Sequence, residues 1–346
     1  MAVLAIAWDL EALTQIGYIT PVVNTGTTVR NSAYSAVGVS TMSNSTNTVF
    51  SATGREQELA FSSAVGSFWF HATYSQIAFT ATDAGEVLRF KSASGGELRL
   101  RGNGSGGTSL ECMMRFEKTT NGTTWTQIGS SFLLRSGVVL NLDLKVILHA
   151  STGEVRLFAN GVQVFSFTGD TSTQTNTANG VYLGSSTTGA ATSDIVWSEL
   201  VVADEPTFDW HVATLNPTAA GTHTQWTGAF SDIDDAGVNY ADLITTNVVN
   251  NQSSFQITDT VSTQTNNNII KALAVASRSS ITPDATPADL QHIVRSGGTT
   301  YATANLAVPK DGNYHSRSTL YATDPATSAA WTPAGVNALE IGVKAV

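Results

Sequence analysis

The chain has 346 residues, enough for two domains, and 42% of them are hydrophobic, so a packed core can form. Charged residues make up only 13%, about half of the roughly 25% usual for globular proteins, and the net charge is −10. No segment is rich in Lys and Arg, which argues against a nucleic-acid partner. No apolar run approaches the roughly 20 residues of a membrane span.

Cysteine usage and the N-terminus indicate where the chain folds. Cys112 is the only cysteine, which excludes an intrachain disulfide. The apolar opening MAVLAIA has no basic flank and ends at Trp8-Asp9, so it is too short for a secretory signal peptide. We therefore expect the protein to fold in the cytoplasm in which it is made.

Alternation of apolar and polar residues predicts β-strands from the start of the chain. Residues 3–8 and 17–23 are candidate first strands, and an aromatic-rich strand is predicted at residues 66–74. In that strand Trp69 must face the opposite side from its immediate neighbours.

A hairpin is predicted at residues 87–101, where two alternating segments flank the turn Ser94-Gly95-Gly96. Its apolar positions share one face: Leu88, Phe90, Leu98 and Leu100. Its other face carries four cations: Arg89, Lys91, Arg99 and Arg101. Four cations on one face could form an anion site, but we favour a solvated outer face interleaved with Glu86 and Glu97.

The clearest pattern lies at residues 140–167, LNLDLKVILHASTGEVRLFANGVQVFSF. Its alternation predicts three short strands, separated by a turn at Ser151-Thr152-Gly153 and another at Asn160-Gly161. Asn-Gly is the dipeptide that best tolerates the two positive φ angles of a type I′ hairpin turn.

This stretch resembles the central meander of concanavalin A-like, laminin-G-type jelly rolls. The segments VYLG, SDIVW and LVV, within residues 181–202, resemble the closing strands of such folds. The resemblance implies an all-β fold with an antiparallel jelly-roll sandwich over residues 1–203. The polar segments at residues 168–180 and 185–193 are then connections, or ligand loops on the rim of the sandwich.

A domain boundary is expected near Ala203, because Pro206 follows closely and cannot donate to a strand ladder. Residues 204–346 are expected to form a second, smaller β-sandwich domain. One helical turn is predicted at residues 333–336. The predicted strands lie at residues 211–215, 253–258, 269–276, 290–295, 300–306, 315–322 and 338–346.

The C-terminal half has a second resemblance, in the segments WSELVVADEPT, ATLNPTAAGTHTQWTG, SDIDDAG and DPATSAAWTPAGVNALEIGVKAV. These segments resemble tail-associated and particle-surface proteins of tailed bacteriophages and prophages. In such proteins a laminin-G-like jelly roll leads directly into a β domain. The resemblance implies a virion component in a tail, a fibre or spike, or on the head surface as capsid decoration.

The sequence shows no pattern typical of an active site, so we expect no enzymatic activity. Glu111 and Glu117 lie on one predicted strand about 20 Å apart, whereas glycosidase carboxylates stand roughly 5–10 Å apart. The six histidines have no metal-binding spacing, and no phosphate-binding glycine loop occurs. We expect no cofactor.

The one weak metal candidate is an acidic segment. Asp232, Asp234 and Asp235 precede Gly237 in the way that carboxylates begin a calcium-binding loop, but the distal Glu of such a loop is missing. We favour an acidic surface turn.

Two functions remain open. The favoured one is a non-enzymatic virion structural protein that acts through protein–protein contacts. The alternative is a carbohydrate-binding adhesin or lectin that contacts a host-surface glycan, since one fold can serve both functions.

Residues 1–7 are apolar without alternation, so both faces of such a strand require burial. We therefore expect a homo-oligomer, with a trimer favoured, or contacts with other virion proteins; alternatively, these residues form the first strand of their own jelly roll.

Overall fold

The computed structural model describes residues 3–7, 48–50, 55–77, 86–92, 95–102, 111–135, 137–185, 194–208, 210, 212, 215–234, 242–260, 269–287 and 289–346. Regular structure in these residues is almost entirely antiparallel β-strand, which confirms the predicted all-β fold. The described helical segments are one 3₁₀ turn, Phe230–Asp232, and one short α-helix, α1 (Pro333–Asn337), at the predicted helical turn. Neither is long and apolar enough to cross a membrane.

The described residues divide into two compact units, which separate between Val212 and Ala213. The strands of the first unit are β1 (Val3–Ala7), β2 (Thr48–Phe50), β3 (Arg55–Val65), β4 (Ser67–Ile77), β5 (Glu86–Lys91), β6 (Glu97–Gly102), β7 (Glu111–Thr119), β8 (Thr126–Arg135), β9 (Val139–Ile147), β10 (Gly153–Ala159), β11 (Val162–Gly169), β12 (Ala178–Ser185) and β13 (Asp194–Ala203).

These strands form two sheets in which every pairing is antiparallel. One sheet has seven strands, in the order β1-β13-β4-β9-β10-β11, with β2 also pairing with β13. The other has six, in the order β3-β12-β5-β6-β7-β8. Strands distant in sequence are neighbours, as when β4 lies between β9 and β13. Two such sheets around one core make a concanavalin A-like jelly-roll sandwich.

In the strands whose side chains are described, alternate residues fill the core between the two sheets. Phe68 and Phe70 of β4 are both 1% exposed, and Trp69 lies on the outer side, as the alternation predicts. The β10–β11 turn is also confirmed, because Asn160 and Gly161 have φ angles of +50° and +75°, as a type I′ turn requires. The sequence pattern at residues 140–167 therefore predicted both the strands and their connection.

The chain after β13 packs against the outer face of the seven-stranded sheet. The Thr207 hydroxyl donates to Asp143 Oδ1 at 2.7 Å, and the same oxygen lies 2.9 Å from His71 Nδ1. The Phe208 ring centroid lies 5.2 Å from that of Trp69 and 4.8 Å from that of Phe158. These contacts tie the chain beyond Ala203 to the jelly roll, so the first unit continues to Val212.

The first strand belongs to the jelly roll itself. β1 pairs with β13 from Val3 opposite Ala203 to Ala7 opposite Leu200. This is the alternative considered for residues 1–7, and self-association remains a prediction. The candidate strand at residues 17–23 lies outside the described residues.

The second unit contains β14 (Pro217–Thr224), β15 (Gln252–Ile257), β16 (Leu273–Ser280), β17 (Asp289–Ser296), β18 (Thr299–Ala302), β19 (Leu306–Ala307), β20 (Tyr314–Tyr321) and β21 (Glu340–Ala345). Six strands form one sheet in the order β14-β15-β21-β17-β18, with β19 also pairing with β17, and β16 pairs with β20 alone. Both sheets contribute to one small core, which contains Ile257, Val275, Val294 and Trp331. The unit is thus a smaller β-sandwich, as predicted, although the sequence pattern missed β14.

Candidate functional site

The outer face of the six-stranded sheet carries an unusual concentration of charge. We call this surface the arginine face. It consists of five cations, three carboxylates and two aromatic residues: Arg89, Lys91, Arg99, Arg101, Arg115, Glu86, Glu97, Glu117, Tyr182 and Trp125. The predicted separation of faces is confirmed, because Leu88, Phe90, Leu98 and Leu100 are all buried in the core. The expected solvated outer face is wrong, because Glu86, Glu97 and Arg99 are also buried.

Strand order brings these residues together. The register aligns Tyr182 of β12, Arg89 of β5 and Arg99 of β6, with Glu117 of β7 next along the row. Strict alternation in β5 would put Glu86 on the same side as Leu88. A register shift in β5 between these two residues instead places Glu86 opposite Arg101, as β-bulges commonly re-aim side chains.

Arg99 is the centre of the network, and its side chain is only 6% exposed. Its Nε and Nη2 donate to Glu117 Oε2 at 2.9 and 2.6 Å, and its Nη1 donates to Glu86 Oε1. Arg89 Nη1 donates to both carboxylate oxygens of Glu97, at 3.1 and 2.9 Å. A buried charge is tolerated only when it is paired in this way, so the network holds each guanidinium plane in a fixed orientation.

Two further arginines approach the same carboxylate. Arg115 Nε lies 2.6 Å from Glu117 Oε1, and Arg101 Nη1 lies 3.7 Å from Glu117 Oε2. The side chains of Arg101 and Arg115 are 21% and 25% exposed, whereas that of Glu117 is 8% exposed. The cations therefore lie nearer to solvent than the carboxylate that they share.

The pKa values reflect this crowding of charges. Burial raises the pKa of Glu117, but the hydrogen bonds and charge of Arg99, together with the charges of Arg115 and Arg101, outweigh burial and hold it below its usual value. Burial, and then the positive charge of Arg99, lower the pKa of Arg101. For Glu97 burial outweighs the opposing effect of Arg89, and the pKa is raised.

Aromatic rings cover the cations. The guanidinium carbon of Arg99 lies 3.5 Å from the centroid of the Trp125 ring, and Arg89 and Lys91 each lie 5.0 Å from that of Tyr182. Tyr182 is buried, whereas Trp125 is half-buried. Trp125 can therefore offer a flat ring to a ligand while it covers Arg99.

The turn before β8 fixes the position of Trp125. Asn121 Oδ1 accepts hydrogen bonds from the backbone N–H groups of Thr123 and Thr124 at 3.0 and 2.9 Å. Gly122 has a φ of +74°, which favours glycine. This closed turn leads directly into Trp125 and limits the positions that the ring can take.

The acidic segment considered for calcium binding begins in the 3₁₀ turn of the second unit. Asp232 ends the 3₁₀ turn, and its Oδ2 accepts the backbone N–H of Ala229 at 2.8 Å. Asp234 is described, but Asp235 lies outside the described residues. In the described part of the chain, no three His, Cys, Asp or Glu side chains group in a way that could hold a metal ion. The calcium site remains a weak prediction.

The polar segment at residues 168–180 is a packed connection through most of its described length. Thr171 is fully buried, and its hydroxyl donates to the backbone oxygen of Ile147 at 2.6 Å. The Lys118 ammonium forms an ion pair with Asp170. Of the other polar segment, only Ser185 is described.

Comparisons with known proteins leave the family of this chain open. No family model matches the chain, and no curated protein matches it. Among solved structures, it is similar to the alginate lyase Aly36B, at 14% identity and a TM-score of 0.36, over 54% of this chain and 95% of that one.

Two other similar structures are carbohydrate-binding domains. The Emp47p carbohydrate recognition domain is 13% identical, with a TM-score of 0.31, over 46% of this chain and 82% of its own. The carbohydrate-binding module CBM66 from Bacillus subtilis is 10% identical, with a TM-score of 0.28, over 44% and 83%. Similarities this low carry no argument about function. No comparison tests the virion assignment, which remains a prediction.

Sequence reasoning found part of this site. It identified the four cations of the β5–β6 hairpin and the flanking Glu86 and Glu97. It did not connect them to Arg115 and Glu117 of β7, or to Tyr182 and Trp125. Alternation in β7 could have placed Arg115 and Glu117 on an outer face, but only the order of strands shows that this face is the same one.

Proposed function

We propose that the protein is a non-enzymatic carbohydrate-binding protein that holds a glycan on the arginine face of its jelly roll. The observation that carries this proposal is the stacking of Trp125 on Arg99, beside carboxylates that fix the guanidinium group. Sugar rings present a flat apolar face and hydroxyl groups that both donate and accept. The half-buried Trp125 ring can pack against the apolar face of a sugar, and the fixed guanidinium and carboxylate groups beside it can bond to the hydroxyl groups.

The proposed setting is the surface of a bacteriophage particle. This part rests on the resemblance of the C-terminal half alone, and it includes virion neighbours, host attachment and a homo-oligomer, with a trimer favoured. Detection of the protein in purified particles by mass spectrometry would support it. Absence from particles whose other structural proteins are all detected would contradict it.

A glycan array probed with the full chain tests the binding function. We expect binding to a defined set of glycans, and Trp125→Ala should lower the affinity about tenfold or more, because it removes the stacking surface. Tyr314→Ala is a matched control, since Tyr314 is an exposed ring beside a cation, Arg278, in the second unit. Absence of binding to any glycan, or equal binding by wild type and Trp125→Ala, would contradict the proposal.

A further inference from the structure

The surface around Trp125 is most accessible along strand β8. Across the sheet, the neighbouring residues of the arginine face are largely covered: Arg99, Glu117 and Tyr182 are 5%, 6% and 5% exposed. Along β8, by contrast, Gln127 is exposed, as is Ser130 further on. A ligand that stacks on Trp125 therefore finds most of its accessible partners along β8.

β8 offers such a ligand neutral groups at an open side of the sheet. In the described part of the chain it is the end strand of the six-stranded sheet, so no described strand lies beyond it. Its sequence, TQIGSSFLLR, contains no charged residue before Arg135. Contacts along this strand would therefore be hydrogen bonds from uncharged groups, which suit the hydroxyl groups of a sugar.

Gln127 is the outward residue of β8 nearest to Trp125. It lies opposite Glu117 in the register, and its neighbour Ile128 is buried, so Gln127 faces the same side as the arginine face. Trp125 covers Arg99 on that side. Residues two apart on a strand are separated by about 7 Å, which is comparable with the length of one sugar residue. A second sugar, linked to one on Trp125, would therefore lie over Gln127.

A hydrogen bond fixes which atom Gln127 presents. Its Nε2 donates to the backbone oxygen of Gly129 at 3.1 Å. A carbonyl oxygen only accepts, so the amide nitrogen faces Gly129 and the amide oxygen Oε1 points elsewhere. The exposed side chain thus carries an oriented acceptor, together with the second amide hydrogen as a donor.

An irregularity in β8 extends this polar surface. The register with β7 shifts between Ile128 and Phe132, and Gly129 in this interval has a φ of +62°. Such bulges commonly occur beside functional sites, where they re-aim side chains. The exposed Ser130 follows directly and adds a hydroxyl group further along the strand.

We infer that the bound glycan is a linear chain that lies along β8, with one sugar on Trp125 and the next on Gln127; this inference rests on the proposed function. Gln127 Oε1 accepts a hydrogen bond from a hydroxyl group of the second sugar. A single sugar uses Trp125 alone and makes fewer contacts. Affinity therefore rises with the length of the chain, and the rise depends on Gln127.

A chain-length series tests the inference by isothermal titration of the full chain. The probes are glucose, mannose, galactose and xylose as 1,4-linked chains of one, two and four sugars, with shortened fragments of any other glycan that binds the array. We expect the four-sugar chain of at least one series to bind tenfold or more tightly than its single sugar. Gln127→Ala should weaken binding of that chain about tenfold.

Gln163→Ala is the matched control, because Gln163 is an exposed glutamine on β11, the end strand of the seven-stranded sheet. Equal loss of binding in both glutamine variants, or wild-type binding by Gln127→Ala, would overturn the inference. Equal affinity for single sugars and longer chains would overturn it while the proposed function stands. Absence of binding to every chain and to the glycan array would defeat the proposed function itself.

Thermal melting separates binding from folding. Gln127 is exposed, so Gln127→Ala should melt at the temperature of the wild type while binding of the four-sugar chain falls. A lower melting temperature, together with equal weakening of single-sugar and four-sugar binding, would assign Gln127 a structural role and overturn the inference.

Discussion

The His292 imidazole lies between two hydroxyl groups, with Nε2 2.7 Å from Ser277 Oγ and Nδ1 2.9 Å from Thr319 Oγ1. His292 belongs to β17, in the six-stranded sheet of the second unit, and the two hydroxyls belong to the paired strands β16 and β20 of the same unit. The ring is fully buried and links the two sheets of the second unit. Burial lowers the pKa of His292 to about 4.

This histidine should make the stability of the second unit depend on pH. Its pKa is about 4 when folded and about 6.5 when unfolded, so between these values only the unfolded chain takes up the proton. Stability should therefore fall as the pH drops below 6.5 and level off below about 4, with a loss of about 2 kcal/mol at pH 5. Urea denaturation of the full chain at pH 7 and pH 5 measures this loss.

His292→Gln provides the control, because an amide can bond to hydroxyls but does not titrate. This variant should lose the part of the pH dependence that His292 causes. The same pH dependence in wild type and variant would show that other groups titrate instead.

Removal of the Glu117 carboxylate, which three arginines of the arginine face contact, should destabilise the jelly roll. Glu117→Gln leaves Arg99, Arg101 and Arg115 close together without the charge that they share, and breaking a buried ion pair costs about 3 kcal/mol or more. Glu154→Gln should cost less than Glu117→Gln, because the partners of Glu154, Lys145 and Arg156, are 27% and 45% exposed and can turn to solvent. Equal free energies of unfolding for the two variants would refute this difference.

Two substitutions at Gly161, in the β10–β11 turn, should differ in how much they lower the free energy of unfolding. Gly161 has a φ of +75° with no atom near its missing Cβ, so the cost of a side chain comes from the backbone alone. Gly161→Val should cost about 1–2 kcal/mol, and Gly161→Asn should cost less, since Asn tolerates positive φ. The free energy of unfolding of each variant tests the order, and a more stable Val variant would contradict it.

Asp143 should hold the chain after β13 in place. Asp143→Ala removes the acceptor of both His71 and Thr207, two buried residues, and should cost about 2–4 kcal/mol. Faster proteolytic cleavage near residues 204–212 should accompany the loss. Asp170→Ala, which removes an exposed carboxylate, is the control; equal cleavage rates in both variants would argue against this anchoring role.

Local sequence patterns predicted the strands well, but they did not predict which strands lie next to each other in the sheets. Alternation separates Leu88 from Arg89 in any strand, so the outer position of the hairpin cations could be read directly. The alignment of Tyr182, Arg89, Arg99 and Glu117 depends on strand order, which no local pattern contains. The contact of Glu86 with Arg99 depends on an irregularity in β5 that periodicity cannot show.

The missed strand β14 has a different cause. Its sequence, PTAAGTHT, consists of small and polar residues around Gly221, and both Gly and Pro are poor strand formers. β14 lies at the edge of its sheet, where Pro217 is tolerated at the first position. Gly221 also fits where a Cβ would meet Ser254 and Glu340 within 3 Å. Such a strand is defined by its neighbour β15 more than by its own composition.

The attachment of Trp125 to Arg99 and to a closed turn has a thermodynamic consequence. A free surface tryptophan must give up rotational freedom when a ligand arrives, and that loss opposes association. Here the ring already rests on a guanidinium group that two carboxylates immobilise. The ordering entropy of the ring is lost when the jelly roll folds, so a glycan bound as proposed would meet a surface that is preorganised for contact.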